Sequence, residues 1–216
     1  MSVTDAMSTA QVDLENALLM IDKIKAREIL TNAYQQENPF RLVEILIVPV
    51  LEKIGAGWEN GDYSLSQVYM SGRICEELVD IILPPSDPLR IMQPKMAIVT
   101  FEDYHVLGKR IVYSALRASG FELENFGQMY LDALVQRIIQ EKVKILLIST
   151  LMLPSALHIK KMIEQLKNKQ QQTKIIVGGA PFNFDPQLWQ EVGADGYGSS
   201  ATDAVKVVNQ MMEVVQ

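Results

Sequence analysis

The apolar residues in the first half of the chain are spaced as in helices. They recur at steps of three and four, so each set shares one face of a predicted helix. One such face comprises Leu14, Leu18, Ile21 and Ile24, and a later one comprises Ile47, Val50, Ile54 and Trp58. The segment 64–67 (SLSQ) is typical of a capping box, in which a serine and a glutamine bond each other's backbone N–H groups. The pattern predicts an all-helical first half.

The second half alternates short apolar runs of strand length with helical stretches. Strands are predicted at 96–100, 121–125, 144–149, 174–178 and 195–197. Helices are predicted between them at 108–118, 131–141 and 154–166. Strands that alternate with helices form parallel sheets with right-handed crossovers. The pattern therefore predicts a Rossmann-like, flavodoxin-like sheet of five strands in the order 2-1-3-4-5.

A proline-rich segment separates the two patterns. Residues 84–94 (PPSDPLRIMQP) contain four prolines, and proline neither continues a helix nor donates a hydrogen bond to a sheet. We therefore predict a helical domain over residues 1–86, a stiff linker over 87–94 and a Rossmann-like domain over 95–216.

Composition and charge exclude several classes of protein. The net charge is −6 and no basic run occurs, which argues against nucleic acid as a partner. Cys75 is the only cysteine, so disulfides and thiolate zinc sites within one chain are excluded. The most apolar segment is interrupted by Glu44, Pro49 and Glu52, and the N-terminus lacks a signal-peptide pattern. We expect a cytoplasmic protein with no membrane partner.

The predicted sheet brings three unusual clusters to one edge. In an open parallel sheet, ligands bind beyond the carboxyl ends of the strands, where the strand order reverses. Here that point lies between strands 1 and 3. Residues 101–108 follow strand 1, Ser149 and Leu151 lie at the end of strand 3, and Gly178 and Gly179 end strand 4. A glycine pair lets the backbone approach a ligand closely.

The residues of these clusters suit a metal-containing ligand. His105 is one of only two histidines, and a neutral imidazole is the commonest metal ligand in proteins. Asp103, two residues earlier, is placed to accept the other ring N–H and so to fix the orientation of the imidazole. Gly108 leaves room at the start of a helix, and Ser149 offers a small hydroxyl where a larger side chain would block a groove.

Each feature by itself also has an ordinary structural interpretation. A histidine, an aspartate or a glycine pair in a loop is often a turn residue. His158 lies on an amphipathic helix, where we expect an exposed or partly buried side chain. Four further residues of the helical half either line a ligand or belong to the bundle core or surface: Trp58, Tyr63, Tyr69 and Met70.

Taken together, the clusters resemble a known signature. The pattern is Asp103-x-His105-x-x-Gly108, then Ser149-x-Leu151, then Gly178-Gly179. It is similar to the cobalamin (vitamin B12) binding signature of the corrinoid proteins of methyltransferase systems. The first half, best in residues 57–78, resembles the four-helix bundle that precedes this domain in those proteins and in cobalamin-dependent methionine synthase. The resemblance spans nearly the whole chain.

The resemblance implies a cofactor and a role. The cofactor is cobalamin, as methylcobalamin in the loaded state, and His105 takes the lower axial position on cobalt in place of the cofactor's own base. The nucleotide tail lies in a groove bordered by Ser149, Gly178 and Gly179, and the helical half caps the upper face. The chain would be the methyl-carrying subunit of a multi-component methyltransferase, not a complete enzyme.

The implied partners are a donor-side and an acceptor-side methyltransferase and a reductive activase. The methyl donor stays open among methanol, methylamines, aryl methyl ethers and glycine betaine, as does the oligomeric state.

The chain departs from the family pattern at two positions beside the signature, and two other functions also stay open. The family often has glycine before the aspartate and a second aspartate after the histidine, whereas this chain has Glu102 and Val106. One alternative is a cobalamin-binding sensor or regulator without its own catalysis. Another is the small subunit of a cobalamin-dependent mutase, which the helical half argues against.

Overall fold

A computed structural model describes residues 3–34, 39–82 and 91–215 of the chain. The described residues separate into two compact units. The helical unit contains the residues up to Ile91 together with Ser114–Phe121, and the sheet unit contains Met92–Tyr113 and the chain from Glu122 onward. Residues 83–90 lie outside the described residues, so the domain bounds 1–86, 87–94 and 95–216 stay a prediction.

The first half of the chain is helical, as the apolar spacing predicts. Its helices are α1 (Val3–Leu19), α2 (Lys23–Tyr34), α3 (Pro39–Leu42), α4 (Val48–Glu59) and α5 (Leu65–Ile82), with a π-helical turn (Val43–Ile47) between α3 and α4. Because α3, the π turn and α4 follow one another directly, the described residues form four helical rods. They pack around one core that includes Leu14, Leu18, Leu46 and Ile47, all without exposed surface.

A proline explains the π-helical turn. Pro49 has no N–H, so the carbonyl of Ile45, four residues earlier, loses its helical donor. The side chain of Gln11 on α1 replaces that donor, because its Nε2 lies 2.8 Å from the Ile45 oxygen. A wide turn of this kind is a common response to an interruption of the helical ladder. The helix therefore continues through a residue that usually ends one.

Two predictions in the helical half are wrong in part. Ile21 lies in the turn after α1 with φ +59°, and Ile24 on α2 is 76% exposed, so neither joins Leu14 and Leu18 in the core. The periodicity continued by chance across a chain reversal. On α4, Trp58 is 40% exposed although the rest of its predicted face is buried.

The capping box at the start of α5 is confirmed. The backbone N–H of Ser64 donates to Oε1 of Gln67 at 2.9 Å, and the N–H of Gln67 donates to Oγ of Ser64 at 3.3 Å. Tyr63 packs against the bundle core, and its hydroxyl lies 3.3 Å from the Glu15 carboxylate. Tyr69 and Met70 are partly buried.

The second half forms the predicted sheet. Its strands are β1 (Met96–Phe101), β2 (Glu124–Met129), β3 (Ile145–Ser149), β4 (Lys174–Gly178) and β5 (Gly196–Tyr197), all parallel in the order β2-β1-β3-β4-β5. The helices are α6 (Leu107–Ala118), α7 (Leu131–Gln140), α8 (Leu153–Asn168), α9 (Ala180–Phe184), α10 (Leu188–Glu191) and α11 (Ala201–Val215). The flavodoxin-like fold class and its strand order are confirmed.

The position of the second strand differs from the prediction. A strand is predicted at 121–125, whereas β2 covers Glu124–Met129. Phe126 is the one fully buried residue of β2, because β2 is an edge strand. Gly127, with φ +70°, lies where the pairing with β1 shifts register. A polar, irregular edge strand carries little of the apolar signal on which strand prediction depends.

The register of the central strands aligns the residues that precede the candidate site. Thr100 of β1 pairs with Ser149 of β3, and Ser149 pairs with Gly178 of β4. The three strands therefore end in one row, and the loops that follow them start side by side. Within the described residues, no helix combines the length and apolarity needed to cross a bilayer.

The corrected assignment of the first helical face can be tested by two substitutions. We expect Leu18→Ala to lower the free energy of unfolding by about 2–5 kcal/mol, because it removes a fully buried side chain. Ile24→Ala should change it by no more than about 0.5 kcal/mol, since Ile24 is largely exposed. Urea denaturation followed by circular dichroism measures both. Equal decreases in the free energy of unfolding for the two variants would instead support the sequence prediction that both residues lie on one buried helical face.

Candidate functional site

A buried carboxylate lies at the centre of the site. Asp103, two residues after β1, is 2% exposed. Its Oδ1 accepts the backbone N–H of His105 at 3.0 Å and lies 2.6 Å from Nδ1 of the same residue. Its Oδ2 accepts the backbone N–H groups of Leu151 at 2.6 Å and Met152 at 3.0 Å. One side chain thus joins the loop after β1 to the loop after β3.

These bonds keep the buried carboxylate ionised. Burial by itself raises the pKa of Asp103 because it disfavours the charged form. The backbone N–H groups of Leu151, His105 and Met152, together with the His105 ring, favour the charged form and outweigh burial. They hold the pKa of Asp103 well below its ordinary value of 3.8. The carboxylate therefore only accepts hydrogen bonds at neutral pH.

The orientation of His105 follows from this acceptor. Because ionised Asp103 cannot donate, Nδ1 of His105 donates to it, and the neutral form of the ring has its lone pair on Nε2. The His105 side chain is 56% exposed, and no described residue hydrogen-bonds to Nε2. An imidazole fixed at one nitrogen and open at the other is the usual arrangement of a histidine metal ligand. The Asp103–His105 contact that the sequence predicts is thus present.

Gly108 and Ser149 lie next to each other, as the strand order predicts. A Cβ atom built on Gly108 would lie 3.7 Å from Oγ of Ser149, at an ordinary van der Waals distance. Packing within the chain therefore does not require glycine at position 108. The glycine leaves space beside the Ser149 hydroxyl, at the exposed start of α6.

The two glycines after β4 are required by the chain itself. A Cβ atom on Gly178 would approach the carbonyl oxygen of Gly198 to 2.9 Å. Gly179 has φ +119°, and a Cβ atom there would lie 1.8 Å from the carbonyl oxygen of Thr150. Close approach of neighbouring loops thus accounts for both glycines, and their contact with a cofactor stays a prediction.

Several large apolar side chains are exposed in the segments that follow the strands at this edge of the sheet. Leu151, the last residue of the Ser-x-Leu motif, gives its backbone N–H to Asp103 and leaves its side chain 44% exposed. It belongs to a set of large exposed hydrophobic residues that follow β1, β2 and β3: Tyr104, Leu107, Tyr130, Leu151, Met152 and Leu153. Exposed apolar side chains that form a patch are typical of a binding site, so this edge of the sheet is a candidate for one.

Two further contacts at this edge were not predicted from the sequence. The hydroxyl groups of Tyr104 and Tyr130 lie 3.1 Å apart. His158, expected as an exposed or partly buried helix residue, is partly buried, and its Nδ1 lies 2.7 Å from Oε2 of Glu102. The only sequence signal for the second contact is the glutamate at a position where the family often has glycine.

A site in which the protein alone surrounds a metal is absent from the described residues. No group of three or more histidine, cysteine, aspartate or glutamate side chains is arranged to hold an ion there. Cys75 is fully buried in the helical unit, and burial raises the pKa of its thiol to about 12. The exposed imidazole of His105 is therefore the candidate metal ligand, and no cluster of further ligands accompanies it among the described residues.

Comparison with known proteins identifies relatives along most of the chain. Residues 95–206 match the B12 binding domain family, and residues 11–83 match a second family of B12 binding domains. The chain is similar to trimethylamine corrinoid protein 2 of Methanosarcina mazei, with 28% identity over 93% of this chain and 94% of that protein.

Two solved structures share the fold. A cobalamin-binding protein from Desulfitobacterium hafniense has a TM-score of 0.75 and 22% identity, over 92% of this chain and 96% of that one. A chain of the methanol:cobalamin methyltransferase complex from Methanosarcina barkeri has a TM-score of 0.66 and 19% identity, over 99% of this chain and 85% of that one. At these identities the likeness shows the fold alone.

The lowered pKa of Asp103 gives a pH-dependent stability. At pH 7 we expect Asp103→Asn to lower the free energy of unfolding of the cofactor-free chain by about 2–3 kcal/mol. The NH2 group of the asparagine cannot accept the hydrogen bonds that one of the two carboxylate oxygens accepts. The pKa of Asp103 is lower in the folded chain than in the unfolded chain. Its ionised carboxylate therefore stabilises the fold above pH 3.8, and this stabilisation is lost as the pH falls further. The difference between wild type and variant should therefore shrink below about pH 4.

Urea titrations between pH 7 and pH 2 measure this difference. Asp62→Asn is the control, because Asp62 is an exposed turn residue of the helical unit. A difference for Asp103→Asn that stayed constant down to pH 2 would contradict an ionised carboxylate in the folded chain.

Proposed function

Since this chain belongs to the B12 binding domain family, we propose that it is a methyl-carrying corrinoid protein whose cobalt is held by Nε2 of His105. The observation that carries the proposal is the Asp103–His105 pair, which leaves one imidazole nitrogen open at the carboxyl edge of the sheet. The imidazole would hold cobalt in place of the cofactor's own base.

The residues present fit a corrinoid in two respects. The macrocycle of a corrinoid itself supplies the equatorial ligands of cobalt, so the protein needs only one nitrogen. A site with a single oriented imidazole and no cluster of further ligands among the described residues meets that need. The large apolar side chains that follow β1, β2 and β3 suit a broad ring better than a hydrated ion.

The chain's own residues bind and orient. When bound, the corrinoid supplies a cobalt centre that takes up a methyl group and gives it to an acceptor. Asp103 accepts a hydrogen bond from Nδ1 of His105 and fixes the ring, which would leave Nε2 available to hold cobalt. Gly108 and Ser149 leave space for the nucleotide tail, and Leu151 excludes water beside the ligand.

The proposal also assigns partners. A carrier needs separate proteins for methyl donation and methyl acceptance, and we assign this role to corrinoid-dependent methyltransferases. The relatives that cover most of the chain include trimethylamine corrinoid proteins and monomethylamine corrinoid proteins, which favours a methylamine as the first donor to test.

The axial ligand can be identified with isotope labelling. The chain is labelled with 15N at histidine only, loaded with hydroxocobalamin and reduced by one electron. Pulsed EPR should then detect one 15N-histidine coupled to cobalt. We expect His105→Ala to lose the coupling and to bind hydroxocobalamin at least about 10-fold more weakly, as for removal of a metal-site residue.

The chain contains only one other histidine, which serves as the control. His158→Gln should keep the 15N coupling, because this variant leaves His105, the proposed ligand, in place. Coupling to a nitrogen that survives in His105→Ala would reject His105 as the ligand, and a wild-type chain that binds no corrinoid would reject the cofactor.

A transfer assay separates a methyl carrier from a mutase subunit or a sensor. The chain is loaded in parallel with methylcobalamin and adenosylcobalamin, and each form is incubated in the dark with candidate acceptor methyltransferases. A carrier should lose the methyl group to the acceptor at a rate that rises with acceptor concentration. Retention of the adenosyl form with a light-dependent change of oligomeric state would instead favour a sensor.

A further inference from the structure

The residue before Asp103 has an unfavourable backbone conformation. Glu102 has φ +48°, in the left-handed region that costs a residue with a side chain about 1–2 kcal/mol. Glycine adopts this region without that cost. The family that this chain resembles often has glycine at this position. A glutamate in a strained backbone conformation points to a use for its side chain.

Glu102 makes four hydrogen bonds to three different elements. Its N–H donates to the carbonyl of Met129 at 3.0 Å, and its own carbonyl accepts Oγ–H of Ser155 at 2.7 Å. Oε1 of its carboxylate accepts the N–H of Leu131 at 3.1 Å, and Oε2 lies 2.7 Å from Nδ1 of His158. The residue therefore ties the end of β1 to the end of β2, the start of α7 and the first half of α8.

The carboxylate replaces a missing helix cap. Tyr130 occupies the N-cap position of α7 and makes no side-chain bond to the helix. Glu102 accepts the first N–H of that helix instead, where a negative charge is favourable. Its other oxygen is held by His158, whose ring lies 6.3 Å from the fully buried ring of Phe101. The carboxylate is only 19% exposed, so both contacts are partly shielded from water.

We propose that Glu102 and His158 form a positioning pair that fixes the backbone before Asp103 and thereby orients the imidazole of His105. Among the described residues, neither member of the pair hydrogen-bonds to His105 or to the two residues after β3 that bond to Asp103, so it acts through the chain that leads into Asp103. This inference rests on the proposed function of His105 as the cobalt ligand. It adds two residues outside the signature to the machinery that presents this ligand.

Three variants and one matched control test the pair. Glu102→Gly removes the carboxylate and relieves the backbone strain. Glu102→Gln keeps an acceptor for Leu131, and His158→Ala removes the partner. Lys142→Gly is the control, because Lys142 also has a left-handed backbone, φ +55°, but lies in the exposed turn before β3.

The first readout needs no cofactor. In the cofactor-free chain, the 15N and 1H signals of the His105 ring report the bond from Nδ1 to Asp103. We expect these signals to shift and broaden in Glu102→Gly and His158→Ala, and to stay close to wild type in Glu102→Gln and Lys142→Gly. A residue needed only for folding would lower the melting temperature and leave the ring signals of the folded chain unchanged.

The second readout is the affinity for hydroxocobalamin, measured by absorbance titration. We expect Glu102→Gly to weaken binding about 10-fold, His158→Ala to weaken it less, and the other two variants to bind as wild type does. Unchanged ring signals and unchanged affinity in Glu102→Gly would overturn the proposal. If that variant did not fold, the same result in His158→Ala would overturn it.

The two readouts separate this inference from the proposed function. If the wild-type chain failed to bind hydroxocobalamin, the carrier role would be lost, and the ring signals of the cofactor-free variants would still decide whether Glu102 and His158 orient His105. If the wild type bound and the variants matched it in both readouts, only the positioning pair would be lost.

Discussion

The candidate site depends on one carboxylate that is buried and ionised at once. Asp103 is stable in this state because both of its oxygens accept hydrogen bonds, from the His105 backbone and ring on one side and from two backbone N–H groups after β3 on the other. Burying a charge is unfavourable unless hydrogen-bond donors of the protein replace the water that it loses. The same bonds join two loops and fix the tautomer of the imidazole, so folding and ligand orientation share one interaction.

The sheet provides the rigid support that this interaction needs. All six residues of β1 are buried, and β3 pairs with β1 and β4 in register without a shift. The loops after β1 and β3 therefore start from fixed points, and the contact between Gly179 and Thr150 fixes the loop after β4. Large exposed apolar side chains follow β1, β2 and β3 at this same edge of the sheet. A rigid sheet with an exposed apolar edge is typical of a protein that binds a large group and performs little chemistry with its own side chains.

The departure at Glu102 shows how a chain can differ from its relatives without loss of the central pair. A glutamate in place of glycine strains the backbone, yet its carboxylate contacts the start of α7 and His158. These contacts bring an additional constraint to the segment that leads into Asp103. A glycine at position 102 would lack this constraint, so the stiffness of the loop after β1 depends on the residue at this position.

The sequence by itself determined the fold class, the strand order and the central pair. Apolar runs of strand length between helices leave few arrangements for a parallel sheet, and the combined pattern around Asp103 and His105 predicts the contact between these two residues. Only the tertiary structure decided which helical residues are buried, where the edge strand β2 lies, why Gly178 and Gly179 are glycines, and that His158 reaches Glu102. Each of these depends on atoms distant in the sequence: a chain reversal at Ile21, a partner strand, a neighbouring carbonyl, or a side chain 56 residues away. Periodicity and motifs report local preference and chain order, whereas contacts between distant segments are set by packing.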